Sequence, residues 1–201
     1  EFIGLGLGAY LAKDLKFSTG DLTLIPYGLL EGAWYGGFIT EAFIQGGRGE
    51  AGLLLGAGLG IVGTTILSQH LELKPTDVLL MGASSGYGKL LGTGIGLLAN
   101  GSDKAITAAM LSGGALGIAS AFVKRDKLSF KTPQLIITPA ATLIGFAHGA
   151  SVAGLISDEI TSSQLSGLVL TSGAAMGIGA SLIAQNYDLK TWDVTMSGLG
   201  W

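Results

Sequence analysis

Three side chains that could pair charge or carry protons stand inside long apolar segments of the sequence: Glu31, Lys89 and His148. If packing brought them together, the carboxylate and the ammonium group could pair along an ion pathway, and the imidazole could relay protons. His148 has no carboxylate three or four residues away, and the chain has no cysteine, so neither a metal site nor a catalytic residue is predicted. We predict a polar seam of these three residues or, alternatively, ordinary packing positions at a hydrated helix contact.

A second candidate is the glycine-rich run from Gly82 to Lys89, which follows the apolar residues 78–81. Over about a dozen residues it resembles the glycine fingerprint of the short-chain dehydrogenase family. That resemblance implies a buried strand, a turn that holds the pyrophosphate of NAD(P), and an NAD(P)-binding enzyme. The sequence departs from the family further on, because a polar loop at 99–104 stands where an acidic residue should bind the ribose, and no Tyr-x-x-x-Lys pair occurs.

The same stretch is also one copy of a segment that recurs about every 57 residues, at 21–44, 77–99 and 134–156, with a further start at 193. Small residues at every fourth position form one ridge along a helix, which lets two helices approach closely. We therefore favour a helix for residues 77–99, and the chain is predicted to bind no cofactor. Glycine occupies the same two positions in each copy: Gly32 and Gly36, Gly88 and Gly92, Gly145 and Gly149.

A second ridge of small residues follows each copy, in 51–70, 104–123 and 164–185. Each unit is thus predicted to be a helical hairpin whose legs pack through small-xxx-small (glycine-zipper) contacts, and the fold class is all-α. The glycines expected at these contacts are Gly28, Gly32, Gly36, Gly52, Gly56, Gly60, Gly88, Gly92, Gly96, Gly113, Gly117, Gly145, Gly149, Gly173 and Gly177.

The chain is predicted to be a single repeat array over 1–201. Its units are expected at about 15–70, 71–127 and 128–186, with partial units at 1–14 and 187–201. Both ends fall inside a predicted helix, so we expect the array to continue beyond this sequence. A triplet of alternating apolar and polar residues precedes each first leg and is predicted to be extended, at 15–17, 71–73, 128–130 and 187–189.

Composition excludes several classes of protein. The 201 residues include 35 glycines and no cysteine, so this is not a disulfide-built module. The net charge of −3 supplies no basic surface, so nucleic acid is not a predicted partner, and no small-molecule substrate is identified. Charged residues make up 12% of the chain, about half of what a soluble domain carries, and the mean hydropathy is +0.57.

These numbers favour a membrane. Each helix has about 20 mostly apolar residues, or ~30 Å, which matches the hydrocarbon thickness. Basic residues also divide unequally between alternating connections, as the positive-inside rule requires. Eight lie at the connections with the triplets, against Arg48 and Lys104 on the other side: Lys13, Lys16, Lys74, Lys124, Arg125, Lys127, Lys131 and Lys190. The alternative is a water-soluble solenoid of stacked hairpins, with the triplets aligned as a narrow ribbon along one edge.

The predicted function is a non-enzymatic structural or assembly element of a membrane or cell envelope. Its expected partners are lipid and either further copies or further repeats of the same chain. One alternative is a secreted or surface-exposed solenoid that serves adhesion or scaffolding. Others are a membrane channel or transporter that uses Glu31, Lys89 and His148, and the NAD(P)-binding enzyme suggested by Gly82–Gly88.

Overall fold

The structure is a computed structural model that describes residues 17–44, 46–128, 132–156 and 158–186, with the backbone alone for 132–135 and 186. Over these ranges the chain forms α-helices and no β-strand, so the predicted all-α class is confirmed. The predicted helices begin and end within about two residues of the observed ones. These are α1 (Asp21–Phe43), α2 (Gly49–Ser68), α3 (Pro75–Leu98), α4 (Asp103–Lys124), α5 (Thr132–Leu155) and α6 (Ser162–Asn186).

Residues Pro75–Leu98 form one continuous helix, which corrects the dehydrogenase-like interpretation of Gly82–Gly88. That interpretation needs a strand at 78–81 and a turn whose backbone N–H groups point at a phosphate. In α3 these glycines lie well beyond the first four residues, where helix N–H groups are free. Their N–H groups are therefore used within the helix, and the phosphate-binding turn is not formed.

Short polar signals set where the helices begin. At the start of α1, the backbone N–H of Ser18 donates to Asp21 Oδ2 over 2.6 Å, and the backbone N–H of Asp21 donates to Ser18 Oγ over 3.3 Å. This reciprocal arrangement is a capping box. The Asp77 carboxylate accepts in the same way from the backbone N–H of Lys74 over 2.9 Å at the start of α3. The predicted acidic residue of the first turn thus stabilises both helices.

The end of α3 shows why the chain reverses between α3 and α4. Asn100 has a φ of 50°, in the left-handed region. Its N–H donates to the carbonyl of Leu97, and the N–H of Gly101 donates to that of Gly96, both over 3.0 Å. This pair of bonds is a Schellman motif, which satisfies carbonyls that the helix leaves open. Ser102 then caps α4 by accepting from the N–H of Ala105 over 3.4 Å.

The described chain divides into two compact units, one holding residues up to Glu41 and Gly46–Val78, the other Ala42–Gln45 and the residues from Leu79. The first contains the hairpin of α1 and α2, whose backbones lie in contact. A Cβ at Gly32 would overlap the carbonyl oxygen of Gly56 and lie 2.9 Å from the Cα of Gly60. Side chains larger than hydrogen would force the two helices apart.

The second unit contains most of α3 together with α4, α5 and α6, and α3 lies at its centre. Gly88 of α3 faces Gly113 of α4, and Gly94 faces Gly167 of α6. The core is correspondingly compact, with Met81, Ala153 and others at most a few per cent exposed. Small residues at these crossings allow α3 to approach both α4 and α6 closely.

The connection between α2 and α3 contains the predicted extended triplet 71–73. It carries no helix and pairs with no strand in the described chain. Leu73 is buried, and its carbonyl oxygen lies so close to Gly20 that a Cβ there would overlap it. The partial units 1–14 and 187–201 lie outside the described residues, as do the triplet 187–189 and parts of the triplets 15–17 and 128–130.

Within the part of the chain that the structure describes, four helices are long and apolar enough to cross a membrane: Gly49–Ser68, Asp103–Lys124, Ile136–Leu155 and Ser162–Gln185. Large apolar side chains on their outer faces are unusually exposed. Leu59 in the middle of α2 is 73% exposed, and Leu143 in α5 is 67% exposed. In water such a continuous apolar surface would mark an interaction site or an aggregation hazard. The four helices are consistent with a membrane-embedded protein.

Candidate functional site

An apolar cleft of about 830 Å³ opens within the second unit. Helices α3 and α4 line it along its length, from Leu80 to Ile95 on α3 and from Ala109 to Lys124 on α4. Each of these stretches has sixteen residues, and its fifteen steps rise about 22 Å, so the cleft is a long groove. Helices α5 and α6 contribute to one end alone, through residues such as Thr138 and Gln185.

The two ends of the cleft differ in polarity. The end near the α3–α4 turn is lined by Leu91, Ile95 and Ala109 together with glycine. The other end carries the polar side chains of the cleft's mouth: Ser120, Lys124, Thr138, Ser181 and Gln185. Ser84, Tyr87 and Ser112 lie between the two ends, and the remaining lining there is apolar. A groove that is mostly apolar along its length and polar at one end suits an elongated amphipathic molecule.

Lys124 is the basic residue of this mouth. Its neighbour Arg125 is engaged elsewhere, since its Nη1 donates to the carbonyl of Phe122 over 2.8 Å and its guanidinium lies 4.4 Å from the centre of the Phe122 ring. Lys124 is exposed and forms no ion pair with any side chain that the structure describes. Its ammonium group is therefore available to an anion at the mouth.

A hydrogen bond between α3 and α5 fixes the wall of the cleft. Tyr87 Oη lies 2.8 Å from Thr142 Oγ1, which also donates to the carbonyl of Thr138 over 2.8 Å. A threonine hydroxyl has one hydrogen, so Tyr87 is the donor and Thr142 the acceptor. Gly177 of α6 leaves room for the ring, because a Cβ there would lie 2.6 Å from Tyr87 Cε1. Tyr87 thus ties three helices together.

Replacing Tyr87 by phenylalanine should lower the free energy of unfolding by about 0.5–1.5 kcal/mol, because Thr142 loses its donor. In a Thr142→Val background the same replacement should cost less, since the acceptor is already gone. Unfolding by denaturing detergent, followed by circular dichroism, measures both values, with Thr142→Ser as the control that keeps the hydroxyl. Equal costs of Tyr87→Phe in the two backgrounds would show that the bond contributes nothing.

The residues of the predicted polar seam occupy three different helices. Glu31 is half-buried in α1 of the first unit, and Lys89 is half-buried in α3 of the second. His148 is exposed on α5. None of the three is among the residues that line the cleft in the described part of the chain. Their joint role in a pathway stays a prediction.

The role of the fifteen predicted glycines as a glycine zipper stays a prediction. At each of the fifteen positions, a Cβ would meet an atom of another helix within 4 Å. Glycines outside that set vary. A Cβ at Gly58, Gly63, Gly86, Gly154 or Gly179 would meet nothing within 4 Å, whereas a Cβ at Gly167 would lie 2.7 Å from the carbonyl oxygen of Gly94. Glycine therefore has two environments in the same helices, one crowded and one open.

Sequence reasoning missed the cleft and its tyrosine. From the sequence, Tyr87 was simply part of the glycine-rich run, and Lys124 was one of eight basic residues at the connections with the triplets. The one available signal was the aromatic ring between Gly86 and Gly88, which is hard to place in a helix without a partner helix that leaves space for it. Comparison with protein families, with curated proteins and with solved structures found no match to this chain.

Proposed function

We propose that this chain is a non-enzymatic structural or assembly element of a membrane, built from glycine-grooved helical hairpins that repeat about every 57 residues. The observation that carries the proposal is the exposed apolar surface of four helices of spanning length. Burying that surface in lipid removes the cost of its contact with water. Neither α2 nor α6 has a charged residue beyond its first turn, so nothing on their outer faces opposes the lipid.

Equivalent contacts in successive hairpins support the repeat. Gly32 faces Gly56 in the first hairpin, Gly88 faces Gly113 in the second, and Gly145 faces Gly173 in the third. The first members of these pairs lie 56 or 57 residues apart, counted along the sequence. Proline inside a helix recurs in the same frame, at Pro26 of α1 and Pro139 of α5. The two helices of each hairpin therefore pack through equivalent glycine positions.

The ends of the second unit differ in charge, which supports one orientation. The α3–α4 and α5–α6 connections meet at one end, where Thr161 Oγ1 donates to Asn100 Oδ1 over 2.8 Å. That end holds Asp103, Lys104, Asp158 and Glu159, and the opposite end holds Lys124, Arg125, Asp126 and Lys127. Because basic ends stay in the cytoplasm, we place the Lys124 end there.

Association with further copies or further repeats is part of the proposal. Glycine costs a helix about 0.5–1 kcal/mol relative to alanine, so open glycines on outer faces need a reason. Gly58, Gly63, Gly154 and Gly179 each leave space for the backbone of a further helix. Lipid would cover the leucine-rich parts of the same faces.

Cysteine labelling tests both the membrane placement and the orientation. The natural chain has no cysteine, so Lys127→Cys and Glu159→Cys each introduce a single thiol at opposite ends of the second unit. In sealed vesicles of known sidedness, a membrane-impermeant thiol reagent should label one variant from outside, and the other once the vesicles are opened. Labelling of both from the same side, or a chain that stays monodisperse without detergent, would overturn the proposal in favour of a water-soluble solenoid.

A further inference from the structure

We propose that the cleft of the second unit binds one acyl chain of an anionic phospholipid, with the headgroup phosphate held at Lys124. The inference rests on the membrane placement proposed above. It goes beyond general contact with lipid, because it assigns one chain to a defined groove and one headgroup charge to a defined residue.

The dimensions of the cleft fit an acyl chain. One leaflet of the hydrocarbon core is about 15 Å thick, half of the ~30 Å of a bilayer. The lined length of α3 and α4, about 22 Å, accommodates a chain of that reach. The volume of about 830 Å³ lies within the usual range of ligand-binding cavities. Leu91 and Ile95 supply the apolar wall where the chain would end.

The polar end offers a charge and an unsatisfied hydroxyl. Lys124 lines the mouth and forms no ion pair with the side chains that the structure describes, whereas Arg125 donates to the carbonyl of Phe122. Thr138 lines the same end, is 8% exposed, and its Oγ1 is buried without a hydrogen-bond partner among the described residues. A buried hydroxyl without a partner costs free energy, which a phosphate or ester oxygen would recover. Both features therefore favour an anionic, oxygen-rich headgroup.

The side of the membrane agrees with this headgroup. The basic end of the second unit is the one assigned to the cytoplasm, and the cytoplasmic leaflet is the one that carries anionic lipid. Basic pockets between membrane helices on that side are sites where acidic headgroups bind. The long axis of the cleft runs along α3 and α4, so a bound chain would lie parallel to the spanning helices.

Native mass spectrometry of the chain in a neutral detergent tests the proposal with phosphatidylglycerol and phosphatidylcholine of identical acyl chains. We expect one phosphatidylglycerol to bind preferentially, and Lys124→Gln to weaken it about fivefold while weakening phosphatidylcholine less, because the choline ammonium already offsets the charge of that lipid's phosphate. The matched control is Lys127→Gln, which removes the same charge from an exposed residue outside the cleft. If Lys124→Gln and Lys127→Gln lowered the affinity for phosphatidylglycerol equally, surface charge alone would explain the binding and the proposal would be overturned.

A second pair of variants tests the groove itself. Ser112 lines the cleft and is exposed there, so Ser112→Phe should fill the groove and weaken binding of both lipids about tenfold. Ala115 is exposed on α4 outside the cleft, and Ala115→Phe should leave binding unchanged. Unaltered binding in Ser112→Phe, with its helical content intact, would show that the chain lies elsewhere.

Two further outcomes separate this inference from the proposed function. A long-chain fatty acid that displaced phosphatidylglycerol and bound more tightly would identify a free carboxylate as the ligand and overturn the assignment of a phospholipid. If the cysteine variants showed a spanning chain but no lipid depended on Lys124, this inference would fail and the proposed function would stand. If the chain were soluble without detergent, the proposed function would fail. The cleft assignment would then be tested with monomeric short-chain phosphatidylglycerol, and it would be overturned if Lys124→Gln bound this lipid as tightly as the unaltered chain.

Discussion

Replacing Gly88 by alanine should destabilise the second unit by about 1–3 kcal/mol, whereas the same replacement at Gly86 should stabilise it by about 0.5–1 kcal/mol. Both residues lie in the middle of α3, so alanine gains the same helix propensity at each. A Cβ at Gly88 would overlap the carbonyl oxygen of Gly113 and lie 2.7 Å from its carbonyl carbon. A Cβ at Gly86 would meet nothing within 4 Å. The sign of the effect therefore depends on the facing helix alone.

The midpoint of unfolding in denaturing detergent, followed by circular dichroism, measures the two effects in the same preparation. Gly113→Ala is an independent repeat from the α4 side, because a Cβ there would overlap the carbonyl oxygen of Gly88. It should resemble Gly88→Ala in sign and size. Stabilisation by all three replacements would mean that α3 and α4 do not pack backbone to backbone.

Replacing Leu59 by arginine should block insertion of α2 into a membrane, with a cost of about 2.5–3.5 kcal/mol. Leu59 stands near the middle of the 20 residues of α2 and is 73% exposed. In lipid its position is at mid-depth, where a guanidinium has neither water nor a partner. In water the same replacement at such an exposed position would change stability by less than about 0.5 kcal/mol. The free-energy costs expected in lipid and in water therefore differ by about 2 kcal/mol or more, which is more than tenfold in an equilibrium constant.

The control for depth is Leu155→Arg at the last residue of α5, where the side chain is 86% exposed. A long basic side chain near a helix end can extend to the interface, so this variant should insert almost as well as the natural chain. The fraction of chain that resists alkaline extraction from vesicles reports insertion. If Leu59→Arg and Leu155→Arg both inserted fully, the membrane placement would be wrong.

Four of the six described helices could be predicted because two local signals agreed, whereas α5 and α6 carried the first of these signals alone. Small residues at four-residue spacing marked the contact face of each helix, and an acidic residue such as Asp21 or Asp77 marked the first turn. Neither signal depends on where distant parts of the chain lie. The glycine run of α3 could be assigned to a helix since the copies at 21–44 and 134–156 shared its spacing without its resemblance to a phosphate-binding turn.

The cleft could not be predicted in the same way, because it is a property of four helices together. The bond between Tyr87 and Thr142 joins residues 55 positions apart, and nothing in either local sequence specifies the other. Lys124 becomes a mouth residue through the placement of α5 and α6 beside α4. The turn at Asn100 was predicted as a polar loop, but its left-handed φ depends on carbonyls that the end of α3 leaves open.

The first two hairpins place their less apolar helix first. Helices α1 and α3 are not among those apolar enough to cross a membrane, whereas α2 and α4, which follow them and pack against them, are. In the proposed bilayer, a ribosome would therefore deliver a weakly hydrophobic helix that begins 28 residues before the more apolar helix that packs against it, since α1 and α2 start at residues 21 and 49, and α3 and α4 at residues 75 and 103. We therefore expect α1 to stay at the translocation machinery until α2 emerges, and α3 until α4 emerges. The two helices of each pair would then pack backbone to backbone before either enters the lipid.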